Sequence, residues 1–228
     1  MPKTVLSEAQ EDYLKQILLL SPSASETPEG PGDPVSTQGL AERLGVRPAS
    51  VTGMLKKLSE LRLVEYEPYR GVRLTESGHK VALEVLRHHR LLETYLHQAL
   101  GYGWEQVHAE AERLEHHISE AFEQKIAEWL GHPERDPHGD LIPTVELALP
   151  KNAQAKKLLA VVAGKTATIV RVATQDTGSL NLCTHLKLKP GSVLAVLEHQ
   201  LEGVRIQVHQ DHFLLPSSLA ELLWVVEA

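Results

Sequence analysis

Residues 47–74, RPASVTGMLKKLSELRLVEYEPYRGVRL, decide the fold. Pro48 pre-sets a backbone angle suited to the first position of a helix. Val51, Met54, Leu55, Leu58 and Leu61 then recur at three- and four-residue spacing, which predicts one buried helical face. The opposite face carries Arg47, Ser50, Thr52, Gly53, Lys56 and Lys57. Short hydroxyls beside lysines can enter a groove of DNA and reach base edges and phosphates. Residues 63–67 and 72–74 alternate as strands around the turn Pro68-Tyr-Arg-Gly71, which reads as a hairpin. Upstream, residues 36–44 form a short helix closed by the turn Gly45-Val-Arg47. Short helix, tight turn, basic helix and basic-tipped hairpin, in that order, predict a winged helix-turn-helix. Its DNA-contacting residues are read as Arg47, Pro48, Ala49, Ser50, Thr52, Lys56, Lys57 and Arg70.

Outward from this stretch, the charge changes sign. The chain's net charge of −7 argues against nucleic acid only as an average. Residues 35–74 hold seven Lys/Arg against four acids, whereas residues 75–150 hold six against fourteen, with nine of the thirteen histidines. Phosphates suit the first segment and cations the second. No apolar run reaches the ~18–20 residues of a membrane span, and the N-terminus lacks a signal-peptide pattern. The single cysteine, Cys183, allows no internal disulfide. These features predict a cytoplasmic protein without membrane association.

On the N-terminal side, Ser7 caps a helix over 7–20 with acids in its first turn, and residues 21–34 (SPSASETPEGPGDP) read as a flexible loop. On the C-terminal side, Thr75 caps a long helix reaching Leu100. Gly101-Tyr-Gly103 interrupts it, and a further helix is expected from Trp104 to Leu130. Leu83, Leu86, Leu91, Leu92, Tyr95 and Leu96, with Ile118, Phe122, Ile126 and Trp129, offer more apolar surface than two helices enclose, so a second copy of the chain is expected to cover it. Residues 131–150 form a linker. Beyond it, β-like runs at 166–173, 193–200 and 204–208, with an amphipathic segment at 217–225, suggest a small β-barrel. The expected domains are residues 1–74 for DNA binding, 75–142 for metal binding and dimerisation, and 150–228 for the barrel.

The acidic segment carries the chemistry. His89 and Glu93 lie one turn apart on one helix face; His108, Glu112, Glu115 and His116 share another. Asp12 is the carboxylate of the first helix that could reach them. Imidazoles and carboxylates together suit a first-row divalent ion. No H-E-x-x-H is present, and no nucleophile, general base or phosphate loop accompanies the cluster, so an enzyme is not expected. His88, His97, His117, His132 and His138 have no comparable partners and read as surface groups.

The stretch His89-Arg-Leu-Leu-Glu93, with Val107-His-Ala-Glu-Ala-Glu112-Arg-Leu-Glu115-His116, resembles the core motif of the diphtheria toxin repressor family of metal-dependent regulators. Leu40-Ala-Glu-Arg-Leu44, Ser50-Val-Thr52 and Tyr69–Thr75 resemble its helix-turn-helix, and Leu188-Lys-Pro-Gly191-Ser192 its SH3-like third domain. The resemblance implies a mainly α fold with three domains. These are an N-terminal winged helix-turn-helix, a helical dimerisation domain and a C-terminal SH3-like β-barrel. It implies a primary metal site of Asp12, Glu112, Glu115 and His116, and an ancillary one of His89, Glu93 and His108 with Asp176 from the third domain. It further implies a homodimer that represses metal-uptake genes by binding double-stranded operator DNA with a divalent metal as co-repressor. The iron branch places sulfur ligands where this chain has Asp12 and Glu112; oxygen ligands favour Mn²⁺, with Fe²⁺ the second choice. Lys15 stands where the manganese branch has another carboxylate, which counts against a dinuclear site. The alternative is a winged-helix regulator that senses an organic ligand.

Overall fold

The computed structural model describes residues 6–21, 33–150 and 155–227. Most of the predicted 21–34 loop lies outside the described residues. The chain forms two compact units. The first runs to His89 and takes in Glu115–Ser119 and the residues from Pro143. The second takes Arg90–Leu114, Glu120–Ile142 and residues 155–227.

In the first unit, α1 (Glu8–Leu20) begins with a capping box between Ser7 and Gln10. α2 (Thr37–Leu44) is capped by Ser36, whose Oγ accepts from the Gly39 N–H at 3.0 Å, and it ends on Gly45 in the left-handed conformation. α3 (Pro48–Glu60) starts on its proline. β1 (Val64–Glu67) and β2 (Gly71–Leu74) pair antiparallel as the expected hairpin. Val35 adds a bridge to Val72, with N···O distances of 2.8 and 2.9 Å. Gly71 is required there: its φ is +102°, and a Cβ would stand 2.6 Å from the Val35 carbonyl oxygen. Tyr13, Leu14, Ile17, Leu40, Val51, Leu55, Leu58, Val72, Leu83 and Leu86 form one buried core. Leu61, expected in that face, is 40% exposed because it already lies beyond the last helical residue of α3.

α4 (Glu76–Leu100) is capped by Thr75, whose Oγ1 accepts from the Gly78 N–H at 3.1 Å. The single helix expected over 104–130 is instead two, α5 (Val107–Leu114) and α6 (Glu120–Trp129). Apolar periodicity obscured a restart signal, Ser119 followed by Glu120 and Glu123 in the first turn of α6. The expectation that a partner covers the α4 leucines is also revised. Leu83, Leu86, Leu91, Leu92 and Leu96 are all buried within one chain. Phe122 and Trp129 of α6 remain about half exposed, at 48% and 59%.

The third region of the sequence holds β3 (Lys156–Lys157), β4 (Thr166–Val172), α7 (Thr177–His185), β5 (Val193–Gln200), β6 (Gly203–Val208), β7 (Asp211–Pro216), α8 (Ser217–Ala220) and β8 (Leu223–Glu227). The strands make one antiparallel sheet in the order β3-β8-β4-β5-β6-β7. The segment 217–225 is therefore not one amphipathic element. Four helical residues lead into β8, whose Leu223 and Val225 face the core while Trp224 and Val226 alternate outward. Cys183 lies in that core with Ile169, Val196 and Ile206. Among the described residues, no helix is long and apolar enough to cross a membrane.

Candidate metal centre

The first unit brings together α1 and the five residues after α5. Because α5 stops at Leu114, Glu115 and His116 leave the helix and face α1. Ligand-type atoms of Asp12, Glu115 and His116 lie within 4.8 Å of one another. His116 Nε2 is 3.1 Å from Asp12 Oδ1 and 3.4 Å from Glu115 Oε1, and its Nδ1 is 2.7 Å from Glu11 Oε2. Both ring nitrogens face carboxylates, so both carry protons while no metal is present. The hydrogen bond to Asp12 leads in raising the His116 pKa to about 9; burial opposes it, and Glu11 and the Glu115 charge add to it.

Glu115 is fully buried. Its Oε1 accepts from the ammonium of Lys15 and its Oε2 from His89 Nδ1, each at 2.5 Å, while its backbone carbonyl accepts from His88 Nδ1 at 3.1 Å. A buried carboxylate needs charged and hydrogen-bonding partners, and here an ammonium and imidazole rings supply them. That is the charge environment a divalent cation fits: two carboxylates and an imidazole converging, with cationic groups already drawn in. His88, read from the sequence as a surface group, is buried. Glu11 and Lys15 were not predicted as members of the cluster; Glu11 is one residue from Asp12, and helical spacing alone does not distinguish them.

In the second unit, α4 and α5 carry Glu93, His108 and Glu112. His108 Nδ1 is 3.2 Å from Glu93 Oε1, and its Nε2 is 3.7 Å from Glu112 Oε1. Glu93 is completely buried. His138, also read as a surface group, is completely buried as well. It stacks on Trp104 with ring centroids 5.6 Å apart, and its Nδ1 is 3.6 Å from Glu93 Oε2. Burial works against a charged His138, but Glu93, Asp136 and the Trp104 carbonyl outweigh it and raise its pKa to about 9. Burial likewise pushes Asp136 up, aided by repulsion from Asp140 and Glu93. Sequence spacing could not reveal this cluster, because Glu93 and His138 are far apart in the chain.

Asp176 is the N-cap of α7: its Oδ2 accepts from the Ser179 N–H at 2.7 Å, which holds its pKa below the usual carboxylate range. It belongs to none of the ligand clusters found among the described residues. The proposed DNA-contacting residues are on the surface. Arg47, Pro48, Ala49, Ser50, Lys56 and Lys57 are exposed at or on α3, Thr52 is half-buried, and Arg70 is exposed at the hairpin tip, 3.2 Å from Glu67. The Thr52 hydroxyl donates to the Pro48 carbonyl at 3.2 Å.

Comparison with known proteins bears on this arrangement. Residues 5–72 match the family model for the iron dependent repressor N-terminal DNA binding domain. Residues 75–144 match that for the iron dependent repressor metal binding and dimerisation domain, and residues 156–227 match the FeoA domain. The iron-dependent repressor IdeR of Mycobacterium tuberculosis is 35% identical over 198 residues, covering 82% of this chain and 86% of the relative. The HTH-type transcriptional regulator MntR of Lysinibacillus sphaericus is 32% identical over 138 residues, 60% of this chain and 91% of the relative. A solved manganese-dependent transcriptional repressor in complex with manganese superposes with a TM-score of 0.84 at 37% identity, covering 96% of this chain and all of that one. The region that carries the His/Glu clusters thus matches a metal-binding module, and the organic-ligand alternative is set aside. The chain belongs to the iron-dependent repressor family, the diphtheria toxin repressor family that its motifs resemble, and is a metal-dependent transcriptional repressor.

Proposed function

We propose that Mn²⁺ is the co-repressor, with Fe²⁺ as a second ion accepted by the same donors, and that the protein acts in the cytoplasm as a homodimer on operators of metal-uptake genes. The observation that carries this reading is the convergence of Asp12, Glu115 and His116. The donors are oxygens and one imidazole. Cys183, the one sulfur of the soft thiolate type, is buried in the sheet core of the second unit. Hard donors favour manganese over softer ions. Glu112 joins the primary set on the strength of the family resemblance. His89, Glu93 and His108 make up the ancillary set, Asp176 offering the oxygen not used in its helix cap.

A bound divalent ion supplies, at one point, the positive charge otherwise spread over a protonated His116 and Lys15. Asp12 then links α1, which packs against α2 of the reading head, to Glu115 and His116. Fixing that link restricts the positions of the two heads of a dimer. Recognition helices reach successive major grooves only about 34 Å apart, so restricting their separation favours operator binding. A ten- to thousand-fold gain needs about 1.4–4 kcal/mol of differential metal binding. Arg47, Ser50, Lys56, Lys57 and Arg70 supply phosphate and base-edge contacts.

The test is operator affinity, measured with Mn²⁺, Fe²⁺, Zn²⁺ and after chelation. Mn²⁺ is expected to tighten binding at least tenfold over the stripped protein. Equal affinity in all four conditions overturns the reading.

A further inference from the structure

We propose that Glu11 is a positioning residue for the primary site: it holds the His116 imidazole by Nδ1 and keeps Nε2 as the nitrogen turned toward Asp12 and Glu115. The inference rests on the reading that His116 is a metal ligand, and it adds a residue outside the donor set. Two consecutive residues of α1 grip opposite edges of one ring. Asp12 Oδ1 is 3.1 Å from Nε2, and Glu11 Oε2 is 2.7 Å from Nδ1. Glu115 Oε1 lies on the Nε2 side, at 3.4 Å. An ionised carboxylate can only accept, so the hydrogen on Nδ1 is held by Glu11. Nε2 is then the nitrogen that gives up its proton and offers a lone pair. The outer torsion of a histidine is broad, and a ring held at one edge alone could turn over and present Nδ1 instead. The Glu11 bond blocks that reversal. A metal-bound imidazole characteristically donates its other N–H to a carboxylate or carbonyl, which orients the ring and raises its basicity.

A neighbouring contact shows why Glu11 is more than a solvated counter-charge. Glu8, one turn earlier on α1, stands 3.5 Å from His117, but the two side chains are 63% and 62% exposed. Such a pair contributes little. For Glu11 and His116 the side-chain exposures are 25% and 5%, and the contact is 0.8 Å shorter, 2.7 against 3.5 Å. A charge-assisted bond sheltered from water is the stronger one. Glu11 does not double as a donor to the ion. It belongs to none of the ligand clusters found among the described residues, and it meets the ring at the nitrogen opposite the one facing Glu115. Its place in the first turn of α1, near the unpaired N–H groups of the helix start, favours a carboxylate there.

The test is the apparent Mn²⁺ affinity of the full chain by calorimetry, for wild type, Glu11→Ala, Glu11→Gln, His116→Ala and the double variant Glu11→Ala/His116→Ala, with folding checked by circular dichroism. Glu11→Ala is expected to weaken Mn²⁺ binding about 10–100-fold, the usual loss when such a partner is removed. Glu11→Gln keeps an acceptor oxygen for Nδ1 and is expected to recover much of that loss. Glu11 acts through the ring, so its removal from His116→Ala is expected to cost nothing further. A full additional loss in that background makes Glu11 a ligand or a bare charge and overturns the proposal, as does wild-type affinity in a folded Glu11→Ala. Should His116→Ala fail to fold, the single variants decide: Glu11→Gln binding no better than Glu11→Ala overturns it. Wild-type affinity in a folded His116→Ala defeats the primary-site assignment itself and the proposal with it, an outcome distinct from the failure of Glu11 alone.

Discussion

Glu115 shows how much one side chain can concentrate. It lies beyond the last residue of α5, is wholly buried, and is met by Lys15, His89 and His116. Glu115→Gln keeps the volume and removes the charge, so it is expected to reduce metal-stimulated operator binding at least tenfold while sedimentation still reports the wild-type oligomer. Asp12→Asn should behave the same way, and full metal response in both variants counts against the assignment. His116 supplies the pH dependence. Its folded pKa of about 9 lies above the 6.5 of a free imidazole, so the metal-free chain gains stability from this group most fully below pH 6.5 and loses it as pH rises through 9. In the proposed site, metal must displace that proton. Apparent Mn²⁺ affinity by calorimetry is therefore expected to climb about tenfold per pH unit between 7 and 8.5; a flat profile means that His116 is not a ligand. Glu115 and His116 were legible in the sequence from their spacing and Asp12 as the carboxylate of the first helix within reach, although α5 ends before Glu115. The burial of Lys15, His88 and His138 was not, because each depends on a partner distant in the chain.

At the level of elements, the winged helix-turn-helix was readable because its signals are local: Ser36 at a cap, Gly45 at a helix end, Pro48 at a helix start, Gly71 at a hairpin tip. Two elements were misread for a shared reason. Apolar periodicity persists through residues 115–119 and 217–225, and it says nothing about where hydrogen bonding is interrupted. In the second case Leu223–Glu227 finds its partners in β4 and β3, a pairing no local pattern shows. The hairpin offers a controlled test. Gly45 and Gly71 both have positive φ, but a Cβ meets nothing within 4 Å at Gly45 and a carbonyl oxygen at 2.6 Å at Gly71. Gly45→Ala should cost about 1 kcal/mol by urea denaturation and Gly71→Ala clearly more, about 2–3 kcal/mol. Equal losses would show that the Val35 bridge yields freely.

For the molecule as a whole, the exposed rings of α6 have a stated purpose in the proposed dimer. Phe122 and Trp129 are solvent-facing in a single chain, and Tyr95 meets Trp129 edge-on at 5.5 Å. Trp129→Glu is expected to convert a dimer into a monomer in sedimentation velocity and to weaken operator binding with it; a stable dimer in that variant moves the interface elsewhere. The ammonium of Lys15 has a consequence at the same scale. A cation carried on the chain competes for Glu115 at a high effective concentration, because its binding is intramolecular. It never diffuses away, and its only route out of the cluster is eviction. In the proposed metal site, the threshold of this sensor is therefore set partly in α1: the amount of metal that counts as plenty depends on how hard one tethered nitrogen is to dislodge from Glu115.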